Sequence, residues 1–496
     1  MRSITQSSRW LFHEFGLVSV YQTGPDTWLV MLARACRMFA FGAISLIIAL
    51  FLSSLDVSDF RIGLFMTLTL TGDVVLSLLV ALAADRIGRR LVLFSGAFLM
   101  IFSGVVFLLF ENYWLLLFAA VVGVLSATGG DLGPFRSVEE STLSHLTTQG
   151  TRSDVMSWYV TVSTLGSAMG TAISGQVVDV LRKDNGSATY AYHSMFWAYI
   201  GMGAVAMVCT GLMSRRCEAS HARSSLAGET AVPLLTEEEQ RDSPYRQSGD
   251  SDDGENGASV DGHRENIAMH PGHVSVAKLQ PKSLLQKAWQ VCGFAQISPT
   301  SRSIVYQLWI LLTIDSLADG MVSYALTNYY LARKFDLSET YLGSIMSASY
   351  LLMAASTVLA GPLAKRLGLV KTMVYTHIPS SVAVLLFPLP QSIFLSIILL
   401  FIRTGLNNMD QGPRAALIAA VVKPDERTAI MGITGTLRTL GSTFGPSLTG
   451  FLAGSDKFWI AFVIAGALRL GYDLGLFYLF VGLDLEALEA RNAPGQ

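Results

Sequence analysis

The chain has 496 residues, of which 51% are hydrophobic and only 15% charged. Soluble proteins usually carry about a quarter charged residues, and soluble cores stop growing near roughly 250–300 residues, so one large water-soluble core is excluded. The formal net charge of −2 argues against a nucleic-acid partner. The four cysteines have neither metal-ligand nor disulfide-framework spacing. The composition therefore predicts an integral membrane protein that holds no metal and no cofactor.

Twelve stretches are apolar and long enough for transmembrane helices, each of which needs about 20 residues to cross roughly 30 Å of hydrocarbon. We number them spans 1 to 12: 28–53, 60–83, 91–110, 113–135, 155–180, 192–214, 303–331, 340–364, 371–389, 391–420, 428–453 and 457–480. No cleavable signal peptide is expected, because the first thirty residues lack a short apolar core and cleavage site. The predicted fold class is an all-α membrane protein of two six-helix sets.

The segments outside the spans complete the predicted organisation. It comprises a cytoplasmic segment at 1–27, a six-helix bundle at 28–214, a linker at 215–302, a second bundle at 303–480 and a tail at 481–496. The linker is rich in Ser, Asp, Glu and Gly and poor in large apolar residues. It cannot form a core of its own, so we predict a disordered cytoplasmic linker.

The orientation follows from the cations in short loops. The loops after spans 2 and 8 carry Arg86, Arg89, Arg90, Lys365, Arg366 and Lys371. The positive-inside rule places these loops and both termini in the cytoplasm. Arg182-Lys183 and Arg333-Lys334 fall on the opposite side and weaken the bias. Asn185, in an outward Asn-Gly-Ser sequon, is a glycosylation candidate. The plasma membrane is the expected location, with a vacuolar or other endomembrane as the alternative.

The two halves of the chain resemble each other at polar and glycine positions. Asp56–Gly63 aligns with Asp336–Gly343, Ala84–Gly88 with Ala364–Gly368, Asp131–Pro134 with Asp410–Pro413, and Leu165–Gly170 with Leu440–Gly445. General similarity among apolar helices does not explain these matches, because the matched residues are not the apolar ones. Two copies of six spans in the same orientation are typical of a transporter whose halves rock about a central site.

The loop after span 2 carries the clearest family motif. It reads Ala81-Leu-Ala-Ala-Asp85-Arg86-Ile-Gly88-Arg89-Arg90. It resembles the G-x-x-x-D-R-x-G-R-R loop of the major facilitator superfamily, with alanine in place of the first glycine. The resemblance covers both halves and implies two pseudo-symmetric bundles, with spans 1, 4, 7 and 10 lining a central cavity. In that family this loop belongs to the conformational latch, so Asp85, Arg86, Gly88, Arg89 and Arg90 are assigned to gating.

Charges inside a membrane cost at least a few kcal/mol, so each is expected to have a partner or a function. Asp315 and Asp319 lie four residues apart in span 7 and share one helix face. Two such carboxylates in a low dielectric cannot both ionise easily, so one holds a proton. Together with Asp73 in span 2, they are the candidates for proton coupling.

The cationic and polar positions in the spans allow two interpretations. In the first, Arg37, Arg403, Asn407, Asp410 and Arg438 bind the substrate, with an arginine holding an anionic group. In the second, the charges form salt bridges between the halves, which is favoured for Arg136, Glu139, Glu140 and Arg414 near the cytoplasmic ends. Of these, Arg136, Glu140 and Arg414 are gating candidates. Arg469 and Asp473 are expected to form a structural pair within span 12.

The glycines are assigned to packing. Spans 5 and 11 carry Gly166, Gly170, Gly175, Gly441, Gly445 and Gly450, which predict faces for close helix contact. The run ending in Gly445-Pro446 resembles the G-x-x-x-G-P signature of drug antiporters, but span 5, where they carry it, has no proline here.

The predicted function is alternating-access transport of a small organic solute by a monomer in the bilayer, with proton coupling as a hypothesis. A drug or toxin–proton efflux antiporter is the near alternative, and a non-transporting transceptor or scaffold is the alternative of another class. An enzyme is not expected, because the sequence shows neither a nucleophile–base constellation nor a phosphate-binding loop.

Overall fold

The computed structural model describes residues 17–123, 125, 135–148, 151–218, 299–422 and 424–482. Within these ranges the structure does not describe the side chains at 81–83, 85–86, 153, 185, 299–301, 358, 361, 365, 419 and 424–429. The described residues are almost entirely helical and contain no strand. Most of the predicted linker at 215–302 and the tail at 481–496 lie outside them, so the linker's disorder stays a prediction.

In the first half, a short helix at Leu17–Thr23 precedes the spans. Spans 1 to 6 are helices at Pro25–Ser54, Asp59–Ile87, Arg89–Leu109, Tyr113–Val122 with Phe135–Leu146, Arg152–Asn185 and Ala188–Leu212. A single 3₁₀ turn, Arg215–Cys217, follows span 6. Span 4 is thus described as two helices, of which the second begins where the predicted span ends.

The second half repeats this order. Spans 7 to 12 are helices at Pro299–Met321 with Tyr324–Phe335, Glu339–Leu367, Leu369–Leu386, Ile393–Asn407 with Gln411–Val421, Pro424–Gly454 and Phe458–Phe480. Span 7 is interrupted at residues 322–323, and span 10 is interrupted by a 3₁₀ turn at Asn408–Asp410. Both interruptions fall beside the polar residues singled out from the sequence.

Eight helices of the described residues are long and apolar enough to cross a membrane. They correspond to spans 1, 2, 3, 6, 7, 9, 10 and 12. Spans 5, 8 and 11 are long helices of 34, 29 and 31 residues, but small and polar residues lower their hydropathy. The prediction of an all-α, multi-spanning membrane protein is confirmed, and the small residues of spans 5, 8 and 11 serve helix contacts.

Each bundle has an aromatic core towards the end where spans 1 and 7 finish. Phe107 of span 3 stacks on Phe196 of span 6, with ring centroids 4.9 Å apart and an interplanar angle of 27°. In the second bundle Phe387, just after span 9, stacks on Phe462 of span 12 at 5.0 Å and 26°. The same internal packing therefore occurs in both halves, as the sequence repeat predicts.

Four glycines of spans 5 and 11, at positions 166, 170, 441 and 445, pack against the first helix of their own bundle. A Cβ added at Gly166 would lie 2.7 Å from the carbonyl oxygen of Ala35, and one at Gly441 would lie 2.8 Å from that of Thr313. Real Cβ atoms do not approach backbone so closely. Spans 1 and 5, and likewise spans 7 and 11, therefore touch along surfaces that only glycine permits.

We expect Gly170→Ala to destabilise the first bundle, because its Cβ would lie 2.9 Å from the backbone nitrogen of Ala43. Overpacking of this kind costs about 1–3 kcal/mol. The matched control is Gly201→Ala in span 6, where an added Cβ meets nothing within 4 Å. Thermal unfolding of the purified protein should show a lower Tm for Gly170→Ala alone, and equal Tm values would contradict the close contact.

Candidate substrate cavity

We distinguish an outer end and an inner end of the molecule. The outer end carries Asp59 and Glu339, where spans 2 and 8 begin, and the inner end carries Gly88 and Gly368, where they finish. These names follow the predicted orientation.

A cavity of about 770 Å³ lies between the bundles and is lined by both. Spans 5, 7, 8, 10 and 11 supply most of its wall, from the middle of the molecule towards the inner end, and spans 1, 2 and 4 contribute single residues.

Four of the predicted coupling and binding residues line this cavity: Asp319, Arg403, Asn407 and Arg438. The gating candidates Arg136 and Arg414 line it as well. Aromatic walls are supplied by Tyr324 and Tyr350, whose ring centroids are 5.1 Å apart. The structure therefore brings residues from separate spans of the second half to one surface.

Arg37 belongs instead to a buried cluster in the first bundle. Its Nη1 lies 2.5 Å from Oε1 of Glu139, while Nη1 of Arg34 lies 3.3 Å from the other carboxylate oxygen. Tyr159 donates its hydroxyl to the same carboxylate at 2.7 Å, and Nε of Arg34 donates to Ser163 at 2.9 Å. This ion pairing joins spans 1, 4 and 5 within one bundle, so Glu139 is not a bridge between the halves here.

Asp73 is also buried and does not line the cavity. Its Oδ1 atom has no hydrogen-bond partner among the described residues. The neighbouring Gly72 packs against the side chain of Val121 in span 4. A buried carboxyl oxygen without a donor is costly when ionised, so this position is suited to holding a proton.

The second bundle contains a larger network centred on Arg469 of span 12. Its Nη1 donates to Oδ1 of Asp319 at 2.8 Å, and its Nη2 lies 2.8 Å from Nε2 of His377. Nη2 also contacts the side-chain oxygen of Asn407. Asp473 accepts from Nδ1 of His377 at 2.7 Å. The described bonds of Arg469 and Asp473 thus join spans 7, 9, 10 and 12, although the sequence suggested a pair within span 12.

Asp315 lies at the centre of this network. Both of its carboxylate oxygens are buried and have no hydrogen-bond partner among the described residues. Oδ1 is 3.6 Å from Nε2 of His377, and Oδ2 is 3.8 Å from Nη2 of Arg414. Arg414 forms its close ion pair with Asp410, four residues earlier in span 10. Neither Asp315 nor Asp410 lines the cavity.

His377 was not among the residues predicted from the sequence. A count of charged residues treats histidine as neutral, so span 9 supplied no coupling or binding candidate. A signal was nevertheless present, because this apolar span places Thr376, Ser380 and Ser381 around the histidine near its middle. Polar residues clustered at mid-span are expected to face the interior of a bundle.

Arg403 and Arg438 differ from the other cavity arginines in having neutral partners. Arg403 donates to the hydroxyl of Thr327 at 2.9 Å and to the carbonyl of Val322 in the break of span 7. Arg438 donates through Nε to the hydroxyl of Ser316 at 3.2 Å. Within the described part of the chain, neither forms an ion pair. These two guanidinium groups therefore have no carboxylate in ion-pair contact, because Asp319, which also lines the cavity, is paired with Arg469.

At the outer end the bundles meet through two glycine crossings. A Cβ added at Gly63 of span 2 would lie 2.9 Å from Cα of Gly450 in span 11. A Cβ added at Gly175 of span 5 would lie 3.1 Å from Cα of Gly343 in span 8. Gly63 and Gly343 are equivalent in the sequence repeat, and so are Gly175 and Gly450. The contact between the halves therefore includes the same crossing made twice.

Each crossing carries an ion pair between the bundles. Arg333 donates to Asp59 at 2.6 Å, and Arg182 donates to Glu339 at 2.8 Å. Asp59 and Glu339 also occupy equivalent repeat positions. Arg182 and Arg333 are two of the cations that weakened the orientation bias, and the structure gives them partners across this contact. Further hydroxyl donors are Tyr329 to Asp59 and Tyr192 to Glu339.

Several gating candidates of the inner end contact groups of their own bundle. Gly88 has φ 108°, which favours glycine, in the turn between spans 2 and 3. The backbone N–H groups of Arg89 and Arg90 donate to Glu218 at 2.7 and 3.3 Å. Arg136 pairs with Glu140 on the same helix at 2.7 Å. The side chains of Asp85, Arg86 and the sequon residue Asn185 lie outside those described.

Comparison with known proteins gives consistent results. A family model described as Major Facilitator Superfamily matches residues 30–276 and 308–494. The uncharacterized membrane protein YJR124C of Saccharomyces cerevisiae is 30% identical over 472 residues, which cover 94% of this chain and 96% of that protein. The structure of the nucleoside transporter NupG is similar with a TM-score of 0.63 and 10% identity, covering 92% of this chain and 99% of that one. An inward-open structure of the xylose transporter XylE from E. coli gives a TM-score of 0.62 and 13% identity, covering 94% and 99%.

Two helical bundles around a shared central cavity are the arrangement expected of a membrane transport protein. The chain belongs to the major facilitator superfamily. It is an integral, multi-pass membrane protein, as its composition predicted.

We expect the double variant Asp59→Asn, Glu339→Gln to open the outer end, because it removes both ion pairs between the bundles. Two such pairs together contribute about 1–2 kcal/mol, which corresponds to a five- to thirty-fold change in population. Spin labels at Asp184→Cys and Lys457→Cys, on exposed outer positions of opposite bundles, would report the change as a population at longer distance. Cys292 would be replaced by serine, since the other cysteines are buried.

The matched control for this experiment is Glu111→Gln. Glu111 is an outer acidic residue whose ion pair, with His193 at 3.5 Å, stays within the first bundle. Its distance distribution should equal that of the parent protein. An unchanged distribution in the double variant would contradict the assignment of these pairs to the gate.

Proposed function

We propose that the protein transports a small organic anion by alternating access. The observation that carries this proposal is the pair Arg403 and Arg438, which line the cavity and have only neutral partners among the described residues. The other cavity cations are paired, Arg414 with Asp410 and Arg136 with Glu140. A carboxylate or phosphate group on the solute would bind to these two arginines, since guanidinium groups bind such anions through two parallel hydrogen bonds.

The contacts between the halves support a rocking mechanism. The glycine crossings and ion pairs close the outer end, while the cavity extends towards the inner end. We propose that this is an inward-facing state, with the inner end and both termini in the cytoplasm. Arg136, Arg414 and the loop Asp85–Arg90 would then pair between the halves when the inner end closes. The proposed setting is a monomer in the plasma membrane.

We also propose that transport of the solute is coupled to proton movement. Asp319 has a side chain that is 33% exposed at the cavity, and it is joined to the buried network through Arg469. Asp315 and Asp73 are buried with oxygens that lack donors in the described residues. Carboxylates in these settings are suited to bind and release protons during transport.

We expect Arg403→Gln and Arg438→Gln each to reduce anion uptake about tenfold or more, because a hydrogen-bonded charge pair contributes about 1.5–3 kcal/mol. The control is Arg61→Gln, which removes an exposed arginine outside the cavity wall. The probes would be radiolabelled mono- and dicarboxylates, sugar phosphates, neutral sugars and a cationic drug, tested in proteoliposomes. Uptake confined to neutral solutes would contradict the anion site, and movement of the cation would favour the efflux antiporter.

We further expect anion uptake by the parent protein to fall when the pH gradient is collapsed. Asp73→Asn, Asp315→Asn and Asp319→Asn, tested singly, identify the carboxylate involved, because an amide can neither carry the proton nor form an ion pair with a protonated group. At least one variant should lose the response to the gradient while still exchanging labelled for unlabelled solute. Uptake that survives gradient collapse in the parent and in all three variants would remove proton coupling.

A further inference from the structure

We infer that His377 takes up the coupling proton and that this displaces Arg469 from the imidazole towards the cavity. The inference deepens the proposed function and rests on it for the identity of the transported solute. The side chain of His377 is 2% exposed and lies between the carboxylate of Asp473 and the guanidinium group of Arg469.

The partners of His377 fix its neutral tautomer. Asp473 is an acceptor, and it lies 2.7 Å from Nδ1, so Nδ1 carries the hydrogen. Arg469 can only donate, and its Nη2 lies 2.8 Å from Nε2, so Nε2 must be the acceptor. The imidazole observed in this arrangement is therefore neutral, with its hydrogen on Nδ1.

Adding a proton reverses the role of Nε2. The incoming proton bonds to the Nε2 lone pair, which then points an N–H at the N–H of Arg469, and two donors cannot share a hydrogen bond. An alternative acceptor is already in place, because Oδ1 of Asp315 lies 3.6 Å from Nε2 and has no hydrogen-bond partner among the described residues. Protonated His377 would therefore bond to Asp315 and release Arg469, with no covalent bond broken.

Arg469 transmits this change to the cavity. It donates to Asp319 at 2.8 Å and contacts Asn407, and both of these residues line the cavity wall. A guanidinium that loses the imidazole is free to shift towards them. Protonation deep in the bundle thereby alters the surface at which the solute binds, although His377 itself does not line the cavity.

The charges around His377 indicate that one proton is bound for each bound monoanion. Charged and polar groups from four spans face His377. They are Asp315 of span 7, Ser381 of its own span, Asp410 and Arg414 of span 10, and Arg469, Asp473 and the Tyr472 ring of span 12. Counting the part of the cavity wall that belongs to the second bundle too, four aspartates (315, 319, 410, 473) face four arginines (403, 414, 438, 469). The sum is zero with a neutral histidine, so a bound monoanion is balanced by one proton.

The first experiment needs no solute. The full-length protein in nanodiscs would retain His377 alone, with the other seven histidines replaced by glutamine, and its ¹⁵N imidazole spectrum would be recorded between pH 5 and 9. The expected result is a neutral ring protonated on Nδ1 at high pH and a doubly protonated ring at low pH. A neutral ring protonated on Nε2, or a spectrum unchanged over this range, would overturn the inference.

The second experiment measures coupling. His377→Gln should abolish the stimulation of carboxylate uptake by an inward proton gradient and leave solute exchange intact, because exchange needs no net proton movement. The control His193→Gln removes the described histidine of span 6, which contacts the Phe107 carbonyl at 2.8 Å, and should keep both activities. Retained stimulation in His377→Gln, or loss of exchange together with it, contradicts the inference.

The two experiments separate the two proposals. If the parent protein transports none of the anions, the proposed function fails, while the ¹⁵N spectrum still decides whether His377 binds a proton. If anions are transported with full gradient stimulation in His377→Gln, the proposed function stands and the assignment of the proton to His377 fails.

Discussion

The ion pairing of Arg469 is the interaction on which the second bundle depends most. Its side chain is completely buried, and it bonds to groups from spans 7, 9 and 10 while belonging to span 12. A guanidinium removed from water is tolerated only when its hydrogen bonds are satisfied by charged or polar partners. Four spans must therefore hold their relative positions for this one charge to remain paired. Any rearrangement of its partners is transmitted through the whole bundle.

The first bundle pairs its buried arginines in a different way. Arg34 and Arg37 share Glu139 between them, and this cluster does not reach the cavity through Arg37. The first bundle places Asp73 apart from these cations, while the second gathers its acidic residues in one network. The two bundles thus share helix packing but not electrostatics. This division is consistent with a second half that carries solute and proton chemistry and a first half that mainly supplies the opposing wall.

Much of the architecture could be predicted from the sequence, because it depends on regular patterns. Apolar length gave the spans, and the matched glycines gave both the repeat and the close packing of Gly166 and Gly441. The sequence also indicated that Arg403, Asn407 and Arg438 belong together, since charge within a membrane requires a polar surrounding. Confirmation that they line one cavity came from the structure.

The remaining features depend on contacts between spans that no local pattern contains. Nothing in the sequence of span 12 shows that Arg469 bonds to Asp319, or that Arg182 reaches across to Glu339. His377 was missed because its importance comes from Asp473 and Asp315, which are distant in the chain. The breaks in spans 7 and 10 were missed as well, because each falls inside a stretch long enough to be taken as one continuous span.

The crossings at the outer end have the form of an isologous interface. Gly63 touches Gly450, and Gly343, the equivalent of Gly63, touches Gly175, the equivalent of Gly450. Two separate copies of a six-helix protein related by a twofold axis would make the same pair of contacts. A single chain, unlike such a dimer, can change one copy of the contact without the other. Retaining glycine at all four positions keeps a dimer-like symmetry at the gate, even though the two halves have diverged in the charges behind it.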